Sequence, residues 1–125
     1  MLFIKIKVKG YLKNLTETTK EIIDTTGIKK SNVISYIFDN TKHKLIIENS
    51  KIILQRENED FSHTIIFNNN TTNISEYYLK KYHTSLEFNI ETTKLIINKN
   101  KINITYRIIE SNEIYNYVLE VSDNL

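Results

Sequence analysis

Between residues 85 and 107 the chain reads SLEFNIETTKLIINKNKINITYR, and apolar residues recur there at every second position. Leu86, Phe88 and Ile90 fall on one side, with Glu87, Asn89 and Glu91 on the other. Past Thr92-Thr93 comes the run Leu95-Ile96-Ile97, then a polar turn over 98–101, then Ile102, Ile104, Tyr106 and Ile108 alternating with Asn103, Thr105 and Arg107. Successive side chains of a strand point to opposite faces, so this period predicts antiparallel strands with one face buried and one wet. Three strands joined by short polar turns, a meander, is the expectation for this stretch.

The apolar residues used elsewhere suit the same plan. The chain holds 22 Ile and 8 Tyr against 10 Leu, and has no Ala, Pro or Trp. Ile and Tyr fit a pleated, half-buried surface, and without Ala the best helix former is missing. The 125 residues predict one domain, 1–125, long enough to bury about two-thirds of its unfolded surface. Without cysteine there are no disulfides, thiolate metal sites or cysteine nucleophiles, which favours a reducing compartment. The start MLFIKIKVKG has lysines between its apolar residues and no apolar core of a signal peptide, and no run approaches the ~20 apolar residues of a spanning helix. A cytoplasmic protein with no membrane partner is expected.

Read in order, the chain repeats the pattern. Leu2, Ile4, Ile6, Val8, Gly10 and Leu12 share one face of the first strand, and Phe3, Lys5, Lys7, Lys9 and Tyr11 the other. Gly10 on the inward row predicts a bend, a bulge or close approach of another backbone. A second strand over 17–26 is expected to stop at Gly27, which would supply a turn with positive φ. Further strands are predicted over 32–39, 42–48, 51–57 and 62–67, followed by a loop over 68–73. Residues 74–82 fit helical spacing through Ile74, Tyr77, Tyr78 and Lys81, and strand spacing through Ile74, Tyr78 and Tyr82; the strand is preferred. A last strand covers 113–121. Ten or so strands with hairpin-length connections predict an all-β fold, an antiparallel up-and-down meander closing into a barrel of about 8–10 strands. Closure would also remove the edges that so Ile-rich a sheet would expose.

On these residues the chain resembles the YwiB-like bacterial proteins of unknown function. The resemblance runs through the first strand ending near Gly10, Thr26-Gly27, Tyr36, Arg56, Tyr82 before a Leu-rich strand, and the row Ile102, Ile104, Tyr106, Ile108. It implies a calycin-like (lipocalin-like) barrel that leaves room for an interior cavity, and it brings no established activity. Three positions depart from the family pattern. Phe38 stands where an acid follows Tyr36 by two, Glu57-Asn58 replaces a glycine after Arg56, and His83 replaces a glycine after Tyr82. An interior acid–arginine pair of the family type would therefore be missing here.

Candidate site residues follow from the rows. Arg56 shares a row with Ile52 and Leu54. It either points inward, where it needs a carboxylate, carbonyls or an anionic ligand, or snorkels at the rim. Tyr36, Tyr106, Tyr115 and Tyr117 place hydroxyls on apolar rows, either as satisfied core tyrosines or as the few polar groups of an apolar pocket. A ligand-binding interior would be lined by Tyr36, Phe38, Leu54, Phe88, Tyr106 and Tyr117, with Arg56 as polar anchor. It would bind a small apolar or amphipathic molecule. His43, His63 and His83 recur every 20 residues. Alternate strands lie ~10 Å apart, too far for a shared metal, so exposed or turn-proximal histidines are expected and no metal or other cofactor. No nucleophile elbow, Gly-rich phosphate loop or zinc-protease motif is present, so a non-enzymatic protein is expected. The strip Lys5, Lys7, Lys9 beside Phe3 and Tyr11 is the other candidate, an outer face for protein or RNA above a packed interior. At a net charge of only +2 a solvated face is preferred and nucleic acid is not expected.

Overall fold

The structure is a computed structural model that describes residues 2–123; Met1, Asn124 and Leu125 of the expected domain lie outside the described residues. Ten strands follow one another as hairpins: β1 (Ile4–Asn14), β2 (Thr19–Lys30), β3 (Val33–Phe38), β4 (Thr41–Ile47), β5 (Lys51–Glu57), β6 (Phe61–Asn68), β7 (Thr71–Leu79), β8 (Thr84–Ile97), β9 (Lys101–Ile108) and β10 (Glu113–Ser122). Each pairs antiparallel with its neighbours in the chain, and β10 returns to β1 to close the barrel. No helix among the described residues is long and apolar enough to cross a membrane.

The inner face has two tiers. Towards the end where β1 begins, Ile6, Val8, Ile34, Leu45, Ile52, Phe67, Ile90, Ile104 and Leu119 are all at or below 2 % exposure. Ten strands enclose more space than the eight whose side chains just fill a barrel, and these residues plug it. Towards the other end, where β1 turns into β2, the inward rows become polar and aromatic. Tyr36, His43, Arg56, His63 and Tyr77 are cross-strand partners in one register, a belt over five consecutive strands.

Both glycines serve packing. At Gly10 a Cβ would lie 1.9 Å from the Val118 carbonyl oxygen, which is the close approach expected there. Gly27, expected to end a strand with positive φ, instead sits inside β2 between Ile6 and Tyr36, without positive φ. Its Cβ would lie 2.2 Å from the Ser35 carbonyl oxygen. The turns take positive φ at Thr18, Ser31, Asp39, Asn40, Asn70, His83 and Asn112. Asn and Asp tolerate that region best after glycine, so an Asn-rich chain can keep its glycines for the strands.

Other expectations are corrected. The stretch 85–97 is one strand, β8, with a bulge between Thr92 and Lys94 where a turn was expected. The extra residue keeps both Ile90 and Leu95 on the inner side, opposite Ile108 and Ile104. The expected loop over 68–73 is a tight turn, because β7 already begins at Thr71. On β7 the inward row holds the buried Ser75 and half-buried Tyr77, while Ile74 is exposed. Leu2 and Ile4, expected inside, are exposed because the pairing of β1 with β10 begins only at Lys7.

Candidate functional site: a polar cavity at one end of the barrel

The belt encloses a cavity of about 50 Å³. Its polar lining is Glu21, Tyr36, His43, Arg56, Tyr106 and Tyr117, set among Leu12, Ile23, Phe38, Leu54 and Ile65. Of the residues expected to line an interior site, Tyr36, Phe38, Leu54, Arg56, Tyr106 and Tyr117 meet here. Phe88 does not; it pairs with Ser75 on β7 and packs on the core.

Arg56 is half-buried on the inward row, so it is neither a free rim residue nor deep in the plug. Its guanidinium lies 5.2 Å from the Phe61 ring centroid. Its Nη1 stands 3.4 Å from His63 Nδ1. No carboxylate among the described residues forms an ion pair with it. A guanidinium only donates, so His63 Nδ1 accepts. His63 Nε2–H then donates to Ser75 Oγ at 2.7 Å, and Ser75 donates to the Thr64 carbonyl at 2.8 Å. The relay holds His63 in one neutral tautomer. His43 Nδ1 donates to the Thr41 carbonyl at 3.1 Å, and its ring stacks on Tyr36 at 4.5 Å.

Both histidines, expected to be exposed or turn-proximal, are thus inner-face residues; His83 alone sits in a turn. Burial, and after it the Arg56 charge, lowers each of the pKa values of His43 and His63 to about 4. At neutral pH Arg56 is therefore the only cation lining the cavity. No group of three or more metal-ligating side chains forms among the described residues.

The tyrosines divide in their bonding. The Tyr36 and Tyr117 hydroxyls share a hydrogen bond across the barrel. Burial pushes Tyr36 up to about 12 and raises Tyr117 well above its ordinary value, so both stay neutral. Tyr106 is 8 % exposed, packed between the Phe67 and Tyr115 rings at 4.9 and 5.3 Å. Its hydroxyl has no hydrogen-bond partner among the described residues. It is not sealed in protein either, since the one buried side-chain polar atom without a partner there is Thr92 Oγ1. The Tyr106 hydroxyl opens onto the cavity it lines.

Sequence reasoning missed Glu21, His43 and His63. A signal existed: His43 and Leu45, Arg56 and Leu54, and His63 and Ile65 are each two apart, hence on the same inward rows. The outer lysine strip lies away from the cavity. Lys5, Lys7 and Lys9 are exposed, and Lys13 and Lys20 cover the Tyr11 ring at 4.9 and 4.8 Å.

No family model matches the chain, and no curated protein matches it. The structure is similar to the crystal structure of ywiB protein from Bacillus subtilis, with a TM-score of 0.70 at 19 % identity, over 98 % of this chain and 92 % of that one. The resemblance read from spaced residues thus holds across nearly the whole chain as a shared barrel fold.

Proposed function

We propose that this barrel is a non-enzymatic binding protein that takes a small amphipathic ligand, acid group first, into its polar end. The observation that carries this reading is the convergence of the Arg56 guanidinium, without a carboxylate partner, and the unbonded Tyr106 hydroxyl on one cavity. A buried or half-buried guanidinium without an acid is costly, and a carboxylate is its best geometric match. Phe38 lines the cavity near it and supplies no charge, and Glu21, the one carboxylate of the lining, forms no ion pair with Arg56, so an acid from outside the chain would complete the pair. About 50 Å³ is small against the ~300–1,000 Å³ of drug-sized sites, so the cavity suits a head group. The ligand's body would stand in the hollow above, of about 390 Å³, which shares Leu12 and Glu21 with the cavity.

Titration with hexanoate, followed by amide and tyrosine-ring NMR shifts, tests this. Saturable shifts at Tyr36, Tyr106 and Tyr117 are expected, weakened about tenfold or more in Arg56→Gln. Hexanoate binding that is unchanged in a folded Arg56→Gln variant would sink the proposal.

A further inference from the structure

The hollow above the cavity has the opposite charge to its floor. Glu17, Glu21 and Glu113 line it. None of the three forms an ion pair among the described residues, and the one lysine of the lining, Lys20, lays its ammonium on the Tyr11 ring. Asn14 donates to Glu113 Oε2 at 3.0 Å, which orients that carboxylate and leaves its charge in place. Glu21 belongs to both spaces: it lines the cavity with Arg56 and the hollow with the other two carboxylates. It lies beyond ion-pair distance of Arg56, so the opposite charges face a common space without direct contact.

The Tyr106 hydroxyl marks where the anionic end sits, in the same cavity that Glu21 lines. Tyr106 as a residue is nine-tenths buried, while its hydroxyl is unbonded at the cavity, a donor without an acceptor. An anionic head group would accept from both Tyr106 and Arg56. Anything attached to it then passes Glu21, which is exposed at the mouth, on its way out.

Resting on the reading above, we infer that the ligand is a small zwitterion, with its anionic end on Arg56 and Tyr106 and its cationic end at Glu21. A cation there meets carboxylates without an ion-pair partner; a plain fatty acid would leave them facing its apolar tail.

Three probes of matched length separate the possibilities: 6-aminohexanoate, hexanoate and hexylamine. We expect 6-aminohexanoate to bind about tenfold tighter than hexanoate. Glu21→Gln should erase that difference, and Glu21→Asp, which keeps the charge, should retain part of it. Equal binding of 6-aminohexanoate and hexanoate overturns the zwitterion and leaves the amphipathic reading standing. Hexylamine binding as tightly as 6-aminohexanoate overturns the zwitterion as well, because the anionic end would then be idle. If no probe moves the Tyr36, Tyr106 and Tyr117 shifts, both readings fall.

Discussion

At the scale of the residue, Gly10 and Gly27 show how little of a position's reason lies in its local sequence. Gly10 was expected to mark a bend, a bulge or a close approach, and it is the close approach; Gly27 was expected to take positive φ and does not, and each leaves room for a neighbouring carbonyl. The contact of Gly10 is backbone and cannot swing away, so a methyl group there must push β10 off β1. Gly10→Ala is expected to cost about 1–3 kcal/mol or more, in the range of overpacked cores, and to lower the urea midpoint accordingly. An unchanged midpoint would mean that the two strands separate freely. Arg56 could be placed on an inward row from the alternation alone. Whether it was paired could not, because its neighbours His43 and His63 come from two other strands.

At the scale of the element, strand length decides where the wall is continuous. β2 pairs with β1 over eleven positions, from Thr19 to Lys29, but with β3 over only four, from Gly27 to Lys30. Beyond Gly27 the long β1–β2 hairpin overtops the short β3–β4 hairpin, and Thr25 Oγ1 bridges to the Ile37 carbonyl at 3.0 Å. Along residues 19–26 every second amide therefore faces no ladder partner. Hydrogen exchange should split these amides into alternating fast and slow classes, whereas those of β9, paired on both sides, should be uniformly slow. Uniform protection along β2 would show that the seam with β3 is closed in solution. Strand type was legible here from period two, but relative strand length was not. The Gly27 stop was misplaced for that reason, and the Thr92-Thr93 bulge passed for a turn because both read as a short polar break.

At the scale of the whole molecule, the two tiers tie stability to pH through the belt. His43 and His63 titrate near 4 in the fold and near the unperturbed 6.5 when unfolded. Between those values the unfolded chain binds more protons, so stability is full above about pH 6.5 and falls as pH drops towards 4. The shift corresponds to about 3 kcal/mol for each histidine at the acid limit. The melting temperature should therefore fall between pH 6.5 and 4, and the double variant His43→Gln, His63→Gln should flatten that slope. A variant as acid-sensitive as the parent would put the acid response elsewhere.

What the chain determined by itself is the local part: strands from the alternation of Ile, Tyr and Leu, turns from Asn, Asp and Ser, and an up-and-down order from the short connections. A period of two assigns each side chain to a face, and hairpin lengths fix which strands are neighbours. Tertiary structure decided what lies across the barrel. The Tyr36–Tyr117 bond joins residues 81 apart in the chain, and Glu21, Arg56 and Tyr106 share a cavity from β2, β5 and β9. Those meetings depend on the curvature and register of the closed sheet, which no segment encodes alone. The open cavity at one end is likewise set by how far the apolar plug reaches up the inner wall.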